Sequence, residues 1–245
     1  MQSASPLVIY GHRGAKDVAP ENTMLGFRRA LADGADQLEL DVRLSRDGRM
    51  VIMHDATVDR TTDGSGAVAT MTWRELQRLD AGAGERIPDL PQVWQKLAEI
   101  GLQVEIKAPA AIGPVLELLR SQPRSAPLML TSFDAEVVAA ALAVPGDCRV
   151  GLIGGASEAD KIRTGLADFS HDPRFCVLVH RTIADMSEVA AYREQGGHTN
   201  TWPVRETEEV LQILDEGWSG ITMDNPAIGV AARKAWLARW LAKPR

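Results

Sequence analysis

The chain has 245 residues, 45% of them hydrophobic, and a formal net charge of −6. This is enough apolar material for one barrel or two smaller domains, and the acidic balance with no basic stripe excludes general nucleic-acid binding. A small anionic substrate stays open, because it feels local charge and not the total.

The first ten residues, Met1-Gln-Ser-Ala-Ser-Pro-Leu-Val-Ile-Tyr10, have no basic start, and their apolar run is too short to direct export. No run in the chain is long enough to span a membrane, so a cytoplasmic protein without stable membrane insertion is expected. A first strand is predicted at about 7–12, ending in Tyr10-Gly-His-Arg-Gly14. Asn22 or Thr23 caps a helix over Met24–Ala32, Pro20 limits it upstream, and Asp33-Gly34 stops it.

The second strand, about 36–44, carries Leu38-Glu-Leu-Asp-Val42. Residues two apart in a strand share a face, so Glu39 and Asp41 lie side by side while Leu38, Leu40 and Val42 bury on the other face. Two like charges inside an apolar strand are costly without a cation, and the pair suits a hard one, Mg²⁺ or Ca²⁺. Asp47-Gly48 turns the chain back into Met50-Val-Ile-Met53 as a hairpin that delivers His54-Asp55. The Thr-, Gly- and Asp-rich stretch at about 55–88 then reads as a small insertion between barrel strands two and three.

Further strands are predicted at about 102–107, 128–132, 148–153, 174–180, 198–204 and 220–224, with helices between. Cys148 and Cys176 fall in two of these apolar runs and read as buried free thiols. Eight β-then-α units point to a closed (β/α)₈ TIM barrel, with an open doubly wound sheet as the alternative. Placement of the polar residues favours the barrel. His12, Glu39, Asp41, Glu105, Lys107, Trp202 and Asp224 all fall at or near carboxyl ends of strands, where barrel enzymes carry their sites. No linker or repeat marks a second domain, so residues 1–245 read as one barrel domain.

Each candidate has a plain structural alternative. Glu105-Ile-Lys107 alone could be an ordinary ion pair, His180 reads as a hydrogen-bonded structural residue, and Asp224 with Pro226 reads as a helix cap. The closing segment Ala231–Lys243 reads as a helix packed on the barrel, with a foot on an anionic membrane as the alternative. Taken together, Glu39, Asp41 and Glu105 would hold a divalent ion against a phosphate oxygen while Arg13 and Lys107 neutralise the remaining charge. Two histidines would divide the proton transfers. That is the chemistry of anionic ester hydrolysis.

The sequence resembles the glycerophosphodiester phosphodiesterase family. The matching blocks are His12-Arg-Gly14, Pro20-Glu-Asn-Thr23, Glu39-Leu-Asp-Val42, Asp47-Gly48, His54-Asp55, Arg60-Thr-Thr62 with Gly64 and Gly66, Glu105-Ile-Lys107, Ser132-Phe133, and Trp202 with Val204, in family order. The resemblance implies a (β/α)₈ barrel that hydrolyses small glycerophosphodiesters such as glycerophosphocholine to glycerol 3-phosphate and an alcohol. It implies His12 and His54 as the acid/base pair, Glu39, Asp41 and Glu105 as ligands of one Mg²⁺ or Ca²⁺, and Arg13 and Lys107 as phosphate contacts. It also implies attack by the glycerol's own neighbouring hydroxyl through a cyclic phosphate. Trp202 is expected to form a wall against the glycerol carbons, with Arg205 positioned to meet charge on the alcohol side. Pro203, Arg205 and the short 80–88 loop depart from the family pattern. A lysophospholipid-cleaving relative and a phosphodiester-binding barrel without turnover are the competing readings.

Overall fold

The computed structural model describes residues 7–241, so Met1–Pro6 of the leader reading and Ala242 and Lys243 of the closing helix lie outside the described residues. The chain begins with β1 (Val8–Gly11), α1 (Met24–Ala32), β2 (Gln37–Leu44) and β3 (Met50–Ile52). A single 3₁₀ turn at Val68–Thr70 and the short α2 (Trp73–Leu76) precede α3 (Leu90–Lys96) and β4 (Gly101–Ile106). Helix and strand then alternate through α4 (Ile112–Ser121), β5 (Leu128–Ser132), α5 (Ala135–Leu142), β6 (Arg149–Gly154), α6 (Ala159–Phe169), β7 (Phe175–His180), α7 (Ser187–Glu194), β8 (His198–Val204), α8 (Thr207–Glu216), β9 (Gly220–Met223) and α9 (Pro226–Leu241).

The strands pair in the order β1-β9-β8-β7-β6-β5-β4-β2, and β1 pairs back onto β2 through Tyr10↔Gln37 and Gly11↔Leu38. All these pairings are parallel, so the sheet closes into a (β/α)₈ barrel and the open-sheet alternative falls. β3 adds to β2 antiparallel, outside the ring, through the turn in which Gly48 takes φ 77°, a left-handed value that glycine adopts without a Cβ penalty. Val58, Val68, Leu76 and Ile87 of the 55–88 segment pack with Val51 and Met53 at β3 into a small apolar cluster of their own. Among the described residues, no helix is long and apolar enough to cross a membrane.

Strand alternation positions everything that follows. On β2 and β4 the outward residues Leu38, Leu40, Val42, Leu102 and Val104 are fully buried against the helix layer. Truncating one such leucine to alanine costs about 2–5 kcal/mol, so this layer fixes the register. With the outward face committed to the core, Glu39, Asp41, Gln103 and Glu105 must point into the barrel. There they meet a second apolar group, Tyr10, Met129, Ile153, Cys176 and Leu178, with Phe133 and Trp202 packed on it. Both cysteines are free thiols. β8 accommodates Pro203, which has no N–H to donate, where its pairing with β9 shifts register between Thr201 and Val204.

Candidate active site

Parallel register sets Asp41 directly beside Glu105 and Glu39 beside Gln103 on the neighbouring strands β2 and β4. Each of Glu39, Asp41 and Glu105 offers an oxygen, and these oxygens lie within 4.8 Å of one another, all three residues being buried. Burial, with Asp41 and Glu105 close by, holds the Glu39 carboxyl well above its usual range. Burial and Asp41 likewise push Glu105 up to about 7, against the pull of Lys107. For Asp41 burial is outweighed by Lys107 and Arg13, which hold it down. Three convergent carboxylates, two of them resisting ionisation, form a hard-oxygen donor set that a divalent cation fits, because the cation would supply the charge the site lacks. Lys107 Nζ meets Glu105 Oε1 at 2.6 Å and Asp41 Oδ1 at 3.3 Å, a partial substitute for that charge.

The turn after β1 is built to deliver its side chains here. His12 N donates to Met223 O on β9, and Arg13 takes φ 50° with its N–H donating to Glu39 Oε2 at 2.8 Å. Gly14 follows at φ 88°, and a Cβ on it would fall 2.6 Å from the Gly26 carbonyl carbon in α1, so only glycine lets this turn pack on that helix. Thr23 caps α1, its Oγ1 accepting from Gly26 N at 3.1 Å. Asn22 has a different part: at φ 55° and buried, it donates from Nδ2 to Asp41 Oδ2 at 2.8 Å. Asn22→Gly, which tolerates that backbone angle, is expected to weaken divalent-cation affinity about 10–100-fold by freeing Asp41. Calorimetric titration checks this, and an unchanged affinity would rule out the orienting role.

Each histidine is held by a carboxylate. His12 Nδ1 lies 2.5 Å from Asp224 Oδ1, and His54 Nδ1 lies 2.6 Å from Asp55 Oδ1. An ionised carboxylate only accepts, so it fixes the proton on Nδ1 and leaves Nε2 unprotonated in the neutral ring. Burial lowers the pKa of both rings; the Asp224 hydrogen bond at His12 and the Asp41 charge at His54 oppose it without prevailing. His12 Nε2 sits 4.0 Å from Glu39 Oε2, so the buried ring borders the acidic cluster directly.

A chain of ion pairs ties the 55–88 segment to the barrel. Asp55 Oδ2 accepts from Arg60 Nε at 2.6 Å, and Arg60 grips Glu21 at 2.7 and 2.8 Å. Glu21 accepts from Arg13 Nη1 at 3.0 Å, and Arg13 Nε lies 3.5 Å from Asp41 Oδ2. The hydrogen bonds from Arg60, joined by the one to His54, hold the Asp55 carboxyl far below its usual range. The blocks around His12, Glu21, His54 and Arg60, scattered along the sequence, are thus one network.

His12, Arg13, Glu39, His54, Glu105, Lys107 and Trp202 line a single cleft at the carboxyl end of the strands, with Phe133, Ile153 and Leu178 as its apolar wall. Asp41 lies just beneath, in contact with Lys107. The sequence-predicted residues are therefore all together. The Trp202 ring stands edge-on to Phe133, centroids 5.9 Å apart, and to His180 at 5.1 Å. A larger cavity of about 790 Å³ at the opposite end of the strands includes Arg149 and His198 in its lining, but the acid–base groups gather at the carboxyl-terminal cleft.

One reading is corrected. Asp224 is no simple cap for α9: its side chain, 2% exposed, is engaged by His12 Nδ1 and by the cations of Lys16 and Arg205. Burial pushes this carboxyl up, but the hydrogen bond and charge of His12, with Lys16, hold it at about 2. The signal was available in the closure itself, since the last strand of a barrel lies beside the first and Gly11 pairs with Met223. His180 is hydrogen-bonded, its Nδ1 2.9 Å from Thr182 Oγ1.

A barrel mouth that offers paired basic side chains, clustered carboxylates and two oriented histidines suits a phosphate diester, whose cleavage needs both charge neutralisation and two proton transfers. The chain is a hydrolase of that class. Residues 12–228 match the glycerophosphoryl diester phosphodiesterase family, and the chain belongs to it. A glycerophosphodiester phosphodiesterase of Caldanaerobacter subterraneus subsp. tengcongensis is 29% identical over 235 residues, covering 89% of this chain and 94% of that protein. The structure of an Oleispira antarctica phosphodiesterase in complex with the product sn-glycerol-3-phosphate is similar with a TM-score of 0.82 and 26% identity, covering 93% of this chain and 96% of that one. The glycerophosphodiester phosphodiesterase of Agrobacterium tumefaciens aligns with a TM-score of 0.75 and 27% identity over 92% of this chain and 99% of its own.

Proposed function

We propose that this single-domain barrel hydrolyses glycerophosphodiesters such as glycerophosphocholine and glycerophosphoethanolamine to sn-glycerol 3-phosphate and the free alcohol, in a metal-dependent reaction. The observation that carries the reading is the three-carboxylate cluster within 4.8 Å, lying next to two histidines whose Nδ1 atoms are both held by carboxylates. Glu39, Asp41 and Glu105 hold one Mg²⁺ or Ca²⁺. Such a cation supplies Lewis-acid polarisation of the phosphate oxygens. Arg13 and Lys107 bind the phosphate and offset the charge that builds as phosphorus becomes five-coordinate. Of His12 and His54, one takes the proton of the attacking oxygen at Nε2 and the other gives a proton to the departing alkoxide. Two free thiols fit a reducing compartment such as the cytoplasm.

Product analysis tests the bond broken. Release of glycerol 3-phosphate and free choline from glycerophosphocholine is expected, and release of phosphocholine instead would overturn the reading. The product in the Oleispira structure supports glycerol 3-phosphate as the half that stays on the enzyme.

Trp202 forms the wall for the glycerol carbons, its ring steadied by Phe133 and His180. Trp202→Ala is expected to lower kcat/KM for glycerophosphodiesters about tenfold through lost apolar contact, and to affect an aryl phosphodiester without glycerol far less. Equal losses on both substrates together with a reduced melting temperature would make Trp202 core packing only.

A further inference from the structure

Three basic groups converge on the buried carboxylate of Asp224. Oδ1 is taken by His12 Nδ1 at 2.5 Å, while Oδ2 is shared by Lys16 Nζ at 3.2 Å and Arg205 Nη2 at 3.4 Å. Lys16 comes from the β1–α1 loop and Arg205 from the β8–α8 loop, so two cations reach one oxygen from two sides of the mouth. A guanidinium has five N–H donors and an ammonium three, and Asp224 is the carboxylate each of them pairs with among the described residues. The Arg205 side chain is 59% exposed, so its unused donors are open to solvent.

The neighbouring acids do not absorb this charge. Glu209 accepts from the backbone N–H groups of Arg205 and Glu206 and faces Arg181 at 3.7 Å, and Glu206 is turned to the α8 backbone in the same capping box. Asp17, though next in sequence to Lys16, forms no ion pair with either cation among the described residues. On the His54 side the balance differs, since Arg60 bridges Asp55 and Glu21 and Arg13 bridges Glu21 and Asp41. Arg43, on the same strand face as Glu39 and Asp41, gives its Nε to His54 O there, so what marks the His12 side is two cations sharing one carboxylate.

Glycerol carries only hydroxyls, so among glycerophosphodiesters it is the alcohol half whose charge varies, and a lopsided rim can only read that half. We propose that Lys16 and Arg205 are specificity-determining residues that select glycerophosphodiesters with an anionic group, above all a phosphate, on the departing alcohol. A headgroup phosphate takes the donors that Asp224 leaves unused, whereas a quaternary ammonium meets two like charges. The inference rests on the functional reading above and names its substrate class.

The test compares kcat/KM for glycerophosphoinositol with and without a ring phosphate, and for glycerophosphocholine, in the wild type, Arg205→Gln, Lys16→Gln and the double variant. Any loss transmitted through Asp224 and His12 strikes every substrate and cancels in the ratio. The wild type is expected to prefer the phosphorylated headgroup about tenfold, the size of a charge-assisted contact. The ratio is expected to shrink to within about twofold in the double variant and to fall with added salt. Equal kcat/KM on all three substrates in the wild type, or a preference that survives both substitutions, overturns the proposal and leaves the functional reading standing. Absence of turnover on every glycerophosphodiester overturns both.

Discussion

Alanine at His12 or at His54 is expected to lower kcat by about 10²–10⁴-fold, the usual contribution of a positioned proton carrier. The expectation rests on the shared geometry: each ring is oriented through Nδ1, His12 by Asp224 and His54 by Asp55, so Nε2 is the atom left to exchange protons. Burial lowers both pKa values from the ordinary 6.5, which favours the neutral ring in whichever histidine acts as base, while the one that acts as acid must carry a second proton at Nε2. The acid limb of the pH profile is accordingly expected below 6.5. Steady-state kinetics decide the matter. Near-normal kcat in both variants would leave the reaction without proton carriers.

Loss of the cation site is expected to have an effect at least as large. Asp41→Ala, or exhaustive chelation of the wild type, is expected to reduce activity by about 10³-fold or more, with recovery on single-metal add-back in the chelated protein alone. Stability gives a readout independent of turnover. Glu105 has a folded pKa of about 7 against an ordinary 4.5, and Glu39 is raised in the same direction. A raised carboxyl contributes stability that is fully present below its unfolded value and is lost as pH rises through the folded value. As pH rises through the window from about 4.5 to 7, Glu105 therefore makes the metal-free protein progressively less stable, and Glu39 acts in the same direction. Divalent cations compete with those protons, so the rise in Tm on adding Mg²⁺ or Ca²⁺ is expected to be larger at pH 8 than at pH 5. Full activity after chelation, or a Tm indifferent to cations at both pH values, would remove the metal from the mechanism.

The barrel was legible because its strands alternate so plainly. In Leu38-Glu-Leu-Asp-Val42 the apolar residues commit one face to the helices, and the acidic face follows without further information. The short β3 and the 55–88 excursion were legible through Asp47-Gly48, a turn signal that works locally. The cleft residues were found because a strand's carboxyl end is a position along the chain. The partners of those residues were not, because they depend on backbone angles and on loops that cross the mouth. Asn22 reads as a helix cap until its φ of 55° is known, and only then does its amide reach Asp41. Nothing local in Arg60 points to Glu21, 39 residues away. The resemblance supplied the histidines as a pair, whereas the carboxylates that orient them came from the structure.

Ring closure also gives the site a schedule. His12 and its partner Asp224 are separated by 212 positions, the acidic cluster by far fewer. Synthesis from the amino end at about 5–20 residues per second puts on the order of 10–40 s between the two emerging from the ribosome. Glu39, Asp41 and Glu105 are therefore all synthesised well before the carboxylate that orients His12. A chain that has not yet reached β9 lacks the carboxylate that aims His12.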